Sequence, residues 1–177
     1  MLLFFRERFV DSGLVNENHQ SHQIRIGFVN RRKNRVILNM NNIINMVHAK
    51  HPEAETEMTD MEDLTGLQQM KWWYRQDIVV IAHGAALTNA IFLRNNSAVV
   101  EIFPPHYYPI YYFGELCNQA GIRNYKYYNN CSDPEADFAL HGSTVNERVY
   151  TRGLNLEPPI DAIMDLVTKS AIGLSAS

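Results

Sequence analysis

Two short apolar runs, separated by a helical pattern, stand out in the middle of the chain. Residues 78–82 are all apolar and mostly β-branched, which predicts a strand buried on both faces. A turn at 83–84 ends this run, residues 85–93 read as a helix, and a second apolar run at 98–103 stops at Pro104. The stretch predicts a βαβ unit. The N-terminus of its helix would offer N–H groups and a positive dipole to a phosphate.

The pattern outside this unit predicts further strands and helices. Alternating apolar and polar positions predict strands at 24–29 and 122–128 and a charged edge strand at 53–58. Helical spacing predicts helices at 40–50, at 60–75 after a cap at Thr59 or Asp60, at 110–120 and at 160–169. Residues 1–10 fit either a helix or a strand, and the polar stretch 129–156 predicts mainly loop.

Strands that alternate with helices predict an α/β fold, a Rossmann-like parallel sheet with helices on both faces. We expect a flanking segment at 1–23, the sheet domain at 24–170 and a tail at 171–177. Ligands of such sheets bind at the carboxyl ends of the strands. The loops expected there are residues 30–35, 83–86 and 103–106, so three groups of polar residues should meet at one edge.

Length and composition narrow the class of protein. The chain has 177 residues, 46% of them hydrophobic and 20% charged, which is typical of one folded domain. A net charge of −3 argues against general nucleic-acid binding. No apolar run approaches the roughly 20 residues of a membrane span, and we find no targeting segment. Cys117 and Cys131 are either one disulfide or two free thiols.

A basic turn follows the first predicted strand. It contains Arg31, Arg32, Lys33 and Arg35. Arginine suits a diphosphate because its planar fork donates two hydrogen bonds at once. The alternative is a solvated basic turn without a ligand.

His83 and Glu101 are the other candidates at the same edge. His83 ends a buried strand, where it is either a structural residue or a group that binds a phosphate or a sugar hydroxyl. Glu101 lies inside an apolar run and therefore needs a partner. Two partners would serve, the hydroxyls of a ribose, which we favour, or an arginine of this chain.

Several familiar site patterns are missing from the sequence. It has no GxGxxG or GKS/T phosphate loop, no Asp-x-Asp metal clamp, no zinc spacing of Cys and His and no nucleophile elbow. Trp72, Trp73 and Tyr74 suggest sugar stacking, but their helical spacing favours core packing.

Two motifs resemble glycosyltransferase family 61. They are HGAALTNAIFL at 83–93, followed by AVVEIFP at 98–104. The family usually has a second glycine where this chain has Ala86. The basic turn is also similar, with Asn30 in place of the usual serine. The resemblance covers roughly residues 24–128 and implies these donor-binding residues: Arg31, Arg35, Gln69, His83, Gly84, Ala85, Leu87, Thr88, Asn89 and Glu101.

The resemblance implies a function and a setting. Family members look like two-domain GT-B enzymes, and this chain resembles their C-terminal donor-binding domain. The implied reaction is inverting, metal-independent transfer from a UDP-sugar to a hydroxyl of a protein or polysaccharide, in the lumen of the Golgi or endoplasmic reticulum. His83 is the best candidate for leaving-group contact, and we assign no general base. We expect donor binding with little transfer by this chain alone. The alternatives are a non-catalytic nucleotide-sugar-binding module and an interaction domain.

Overall fold

A computed structural model describes residues 2–15, 23–109, 112–142 and 144–175. Its centre is a sheet of five parallel strands in the spatial order β2-β1-β3-β4-β5. The strands are β1 Arg25–Asn30, β2 Glu55–Asp60, β3 Ile78–Ala82, β4 Ala98–Ile102 and β5 Arg123–Tyr127. The fold is therefore α/β and Rossmann-like, as predicted.

The helices pack on both faces of this sheet. Seven α-helices are described: α1 Leu2–Asp11, α2 Met40–Lys50, α3 Gly66–Arg75, α4 Phe113–Gln119, α5 Pro134–His141, α6 Val145–Thr151 and α7 Ile160–Ser175. Two 3₁₀ helices cover Met61–Asp63 and Ala85–Phe92. None of the helices in the described ranges is long and apolar enough to cross a membrane.

The two faces of the sheet carry separate apolar clusters. Alternate residues of β3 point to opposite sides, so Val80 packs with α2 and α7 while Val79 packs with α3 and the 3₁₀ helix Ala85–Phe92. Trp73 is fully buried in the second cluster, which confirms the core-packing interpretation of the tryptophans. All five residues of β3 and all five of β4 are buried, as the two apolar runs predict.

Most predicted strands are confirmed with small shifts at their ends. The bounds of β3 and of helix α2 agree with the prediction, and β2 is the charged edge strand expected near residues 53–58. The carboxyl ends of β1, β3 and β4 lie side by side because β1 pairs with β3 and β3 with β4, all in parallel. The three predicted loops therefore meet at one edge.

The single helix predicted at 60–75 is wrong, because two caps divide it. Asp60 accepts a hydrogen bond from the Glu62 N–H and begins the 3₁₀ helix Met61–Asp63. Thr65 and Gln68 then form a capping box, so α3 begins only at Gly66. The helix predicted at 85–93 is also corrected, since Ala85–Phe92 is a 3₁₀ helix. The predicted start of the helix near residue 110 lies outside the described residues, and α4 begins at Phe113.

The prediction of mainly loop at 129–156 is wrong. Asp133 accepts from the Ala136 N–H and begins α5, with Pro134 in its first turn. Thr144 and Glu147 form a second capping box that begins α6. Both helices are short and mostly exposed, so they lack the apolar period that a sequence search detects. The final helix also continues past the predicted end at residue 169, to Ser175.

The first helix packs against the sheet domain. The Arg6 guanidinium donates to the carbonyl of Leu93 at 3.0 Å and to Asn95 Oδ1 at 2.5 Å. Phe9 is buried and makes edge contacts with Tyr74 and Phe92. Helix α1, which lies within the predicted flanking segment, thus packs against the sheet domain through Arg6 and Phe9.

Candidate functional site

The strand order creates a crevice between β1 and β3. From β1 the chain crosses to β2 on one side, and β3 pairs with β1 on the other. In doubly wound sheets of this order, ligands bind at this reversal point, beyond the carboxyl ends of the strands. The basic turn follows β1, and His83 and Gly84 follow β3, so both loops border the crevice.

Arg31 and Arg35 converge on Gly84. A Cβ built on Gly84 would lie 3.0 Å from Arg31 Nη1 and 3.1 Å from Arg35 Nη1. The Arg35 Nη1 also donates to the carbonyl oxygen of His83 at 2.9 Å. The absence of a side chain at Gly84 therefore lets both guanidinium groups lie against the turn that follows β3.

These two arginines have no acidic partner among the described residues. The ion pairs of the neighbouring Arg32 show the contrast, because its guanidinium contacts Asp60 at 2.8 Å and also Asp63. Arg31 instead donates weakly to the Asn34 side chain at 3.3 Å. The basic turn thus contains one neutralised arginine and two whose positive charge is not compensated by a carboxylate.

Arg35 is held in an unusual conformation. Its backbone has φ +56°, in the left-handed region that residues with a side chain rarely adopt. Its buried Nε has no hydrogen-bond partner within the described ranges. Burial, with smaller contributions from the charges of Arg31 and Arg152, lowers the pKa of Arg35 from its ordinary value. Such an uncompensated, partly buried cation is suited to an anionic ligand.

Asn30 holds the basic turn in shape. Its Oδ1 accepts from the N–H groups of Arg31 at 2.9 Å and Ile37 at 3.0 Å, and its Nδ2 donates to the Ile37 carbonyl at 3.1 Å. These hydrogen bonds close the loop across its base, so the two arginines start from a fixed backbone.

His83 and Glu101 form a buried pair behind the arginines. The His83 Nδ1 lies 2.6 Å from Glu101 Oε1, and the second carboxylate oxygen accepts from Asn124 Nδ2 at 3.1 Å. The pair is assembled by the register of the sheet, which places Glu101 beside Ile81 and Lys126 on the neighbouring strands. Because an ionised carboxylate only accepts, Nδ1 carries the hydrogen in this pair. Nε2 has no hydrogen-bond partner in the described part of the chain.

Glu101 has partners within the chain that the sequence analysis did not consider. This carboxylate is fully buried and bonded to His83 and Asn124, and no arginine of the described residues pairs with it. Glu101 therefore positions His83 in this arrangement, and its contact with a nucleoside stays a prediction.

Aromatic rings enclose the His83 imidazole. It stacks on Phe103 with ring centroids 4.7 Å apart and meets Tyr107 edge-on at 5.6 Å. Phe113 lies at 5.3 Å and Tyr112 at 6.4 Å. These four rings and the hydrogen bond to Glu101 surround the imidazole, and His83 is only 2% exposed.

A cavity of about 410 Å³ opens beside the basic turn. Five of the predicted donor-binding residues line it: Arg31, Gln69, Ala85, Thr88 and Asn89. The N–H groups of Ala85 and Ala86 precede the first internal hydrogen bond of the 3₁₀ helix, from Leu87 to Gly84. The cavity combines the Arg31 guanidinium, backbone N–H groups and side-chain amides, which suit a phosphorylated polar ligand. It is also lined by two acidic residues, Asp60, which pairs with Arg32, and Glu62.

The amide of Gln69 is engaged by the protein itself. Its Nε2 donates to the carbonyls of Met61 at 2.9 Å and Leu64 at 3.1 Å, and its Oε1 accepts from Asn89 Nδ2 at 3.1 Å. Gln69 is half-buried, between α3 and the 3₁₀ helix Ala85–Phe92. It ties α3 to the 3₁₀ helix and orients Asn89.

One predicted donor-binding residue, Leu87, has its side chain in the core rather than in the cavity. Leu87 is 0% exposed and packs in the apolar cluster with Trp73, while its N–H is used inside the helix. The 3₁₀ geometry turns this side chain into the core and leaves Ala85 and Thr88 exposed.

A slightly larger cavity, of about 440 Å³, lies elsewhere. It is lined mainly by α3, β2 and the end of the α1 segment, including Leu14, Glu57 and Trp72. Its Arg75 already pairs with Glu57 at 3.4 Å. It lies away from the reversal point of the sheet, so we do not place the site there.

Some neighbours of the site were missed by the sequence analysis. Asn124 donates to Glu101, and Arg152 adds positive charge near Arg35. Asn124 and Arg152 lie on segments remote in sequence, and no motif marks them.

Comparison with known proteins gives one family. Residues 3–100 match the family model described as Glycosyltransferase 61. The matched range includes every predicted donor-binding residue except Glu101. A search of curated proteins gives no match to the chain.

Proposed function

The chain belongs to glycosyltransferase family 61, and we propose that it holds a UDP-sugar by its diphosphate between the basic turn and the Gly84 turn. Family membership makes it a glycosyltransferase, with a nucleotide-sugar donor and an acceptor. The proposed reaction is transfer of the sugar, with inversion, to a hydroxyl of a protein or polysaccharide.

The observation that carries this proposal is the uncompensated pair of Arg31 and Arg35. Each guanidinium can donate two hydrogen bonds to phosphate oxygens, and neither is neutralised by a carboxylate in the described residues. The negative charge that grows on the departing diphosphate would be stabilised by these fixed charges. We propose that they take the part that a divalent cation takes in metal-dependent transferases.

His83 has a matching role in this proposal. Its backbone carbonyl anchors Arg35, so the histidine and the arginine are positioned together. Glu101 fixes Nδ1, and Nε2 is the atom left to contact the leaving group. Inversion also needs a base on the opposite side of the sugar. We assign no described residue to that task.

The remaining family expectations are kept as proposals. They are that this domain is the donor-binding half of a GT-B enzyme, that the donor nucleotide is UDP and that the protein works in the Golgi or endoplasmic reticulum lumen. The cavity beside Arg31 would hold the nucleoside and sugar, with Thr88 and Asn89 as polar contacts.

The proposal is tested by titrating UDP into the chain in the presence of EDTA. Arg31→Gln and Arg35→Gln each remove hydrogen bonds to a charged ligand, worth about 1.5–3 kcal/mol. We therefore expect each variant to bind UDP roughly 10- to 100-fold more weakly. Uridine has no phosphates, so its affinity should change little.

Lys33→Gln is the matched control. It removes one positive charge from the same turn, but Lys33 is exposed and does not lie against Gly84. Equal losses in the lysine and arginine variants would mean that only the net charge matters. UDP binding that requires manganese or magnesium would contradict the proposed role of the arginines.

A further inference from the structure

Three metal-ligating side chains meet on the loop after β4 and on α5. They are His106, Asp137 and His141, and one ligand atom of each lies within 4.8 Å of those of the other two. The His106 Nδ1 lies 3.0 and 3.1 Å from the two Asp137 oxygens. The imidazole rings of His106 and His141 have centroids 4.5 Å apart.

The spacing along α5 explains part of this geometry. Asp137 and His141 are four residues apart on one helix, so their side chains share a face. His106 reaches them from the turn after Pro104 and Pro105, where its backbone has φ +61°. A non-glycine residue rarely adopts this left-handed conformation, and at functional sites such conformations are held by the surrounding structure.

The contacts within the described residues leave ligand capacity unused. Neither imidazole nitrogen of His141 has a hydrogen-bond partner there, although the ring lies beside His106 and Asp137. In the described part of the chain, the Asp137 carboxylate has hydrogen bonds to His106 only. The cluster is also accessible, since the side chains of His106 and Asp137 are 48% and 20% exposed.

We propose that His106, Asp137 and His141 bind a divalent transition-metal ion of the zinc class. Zinc takes imidazole nitrogen and carboxylate oxygen at about 2.0–2.2 Å, so neighbouring ligand atoms in a tetrahedral site lie about 3.3 Å apart. The His106–Asp137 distances are already close to that value. The ion takes the place of the hydrogen on His106 Nδ1, the neutral imidazole then carries its one hydrogen on Nε2 after exchange with water, and water completes the coordination.

Metal binding at this cluster would stabilise the wall of the His83 site. Tyr107 follows His106 directly, and its ring contacts both His83 at 5.6 Å and Phe138 of α5 at 6.0 Å. An ion that joins His106 to α5 would therefore hold Tyr107 through its backbone link to His106 and through its ring contact with Phe138. This proposal uses different residues from the diphosphate site and does not depend on it.

Zinc titration of the purified chain, followed by competition with a chromogenic chelator, tests the proposal. We expect saturable binding of one ion and a rise in melting temperature on saturation. His106→Asn, Asp137→Asn and His141→Gln should each lower zinc affinity by at least about 10-fold, the lower end of what even outer-shell partners contribute.

Two control variants separate this cluster from other ligands. His48→Gln removes a histidine of α2 that bonds to Thr56, and Cys131→Ser removes the half-buried free thiol. Both should keep wild-type zinc affinity. Cobalt(II) supplies an independent readout, because its visible spectrum should show a low-coordinate nitrogen and oxygen site that the three cluster variants lose.

Other outcomes would contradict the proposed metal site. Absence of saturable zinc binding, or unchanged affinity in all three cluster variants, would overturn the proposal. Loss of binding in Cys131→Ser alone would assign the metal to the thiol and overturn it as well. Circular dichroism of the metal-free variants confirms that each is folded, so a loss of affinity is not a loss of structure.

Discussion

Replacing Glu101 by glutamine tests the buried pair with His83. The change keeps the shape of the side chain but exchanges one acceptor oxygen for an NH₂ group. Glu101 accepts from His83 at 2.6 Å and from Asn124 at 3.1 Å. A glutamine oxygen can keep the bond to His83, but its NH₂ group then faces the Asn124 NH₂ group, and two donors oppose each other.

The structure indicates how large the cost is. The Asn124 Oδ1 is buried and has no hydrogen-bond partner among the described residues, so a rotated Asn124 amide can accept from the new NH₂ group without losing a bond. The remaining cost arises because the hydrogen bond to His83 no longer involves a charged acceptor. A hydrogen bond to a charged group contributes about 1.5–3 kcal/mol, which is the upper limit of this cost. That is a fraction of the usual 5–15 kcal/mol of stability, so Glu101→Gln should still fold. Its melting temperature should fall by about 3–12 °C.

Thermal and urea unfolding measure the effect, with Glu57→Gln as a matched control. Glu57 forms an exposed ion pair with Arg75, so its replacement should cost less than about 1 kcal/mol. A double-mutant cycle with His83→Gln isolates the coupling between His83 and Glu101. Unchanged stability of Glu101→Gln, together with weaker UDP binding, would refute the buried pair and support direct nucleoside contact.

Three further predictions concern single positions. Gly84→Ala places a methyl group about 3 Å from two guanidinium nitrogens, so UDP should bind several-fold more weakly while the melting temperature changes little. Ala86→Gly restores the usual family residue, and it should improve UDP binding but lower stability by about 1 kcal/mol, measured by titration and unfolding. Burial raises the pKa of the Cys117 thiol to about 12. An aromatic disulfide reagent should therefore label Cys131 first, and Cys117 should lower stability between about pH 9 and 12, where only the unfolded thiol has ionised.

The sequence was most informative where burial is two-sided. The runs that form β3 and β4 contain few polar residues. A short apolar segment that is buried on both faces is typical of a strand inside a parallel sheet. The parallel arrangement followed from the alternation of strands and helices. This arrangement alone places the loops at the carboxyl ends of the strands along one edge of the sheet.

The internal partners at the site could not be predicted in the same way. Glu101 was expected to need a partner, but its pairing with His83 depends on the lateral contact of β3 and β4 and on rotamers. The different surroundings of the arginines in the basic turn could not be predicted from the sequence either. Arg32 is neutralised by Asp60 and Asp63 from the far side of β1, whereas its neighbours face Gly84. A count of charges treats these arginines alike, and only their neighbours distinguish them.

The polar region after β5 contains helices that a search for apolar periodicity does not detect. Helices α5 and α6 depend on their caps, Asp133 with Pro134 and Thr144 with Glu147, more than on a buried apolar face. A helix with little apolar surface keeps ligand-forming side chains on positions that a core helix would give to leucine or valine. Asp137 and His141 are of this kind. If a metal ion joins them to His106, part of what holds α5 in place is coordination that a hydrophobic period cannot encode.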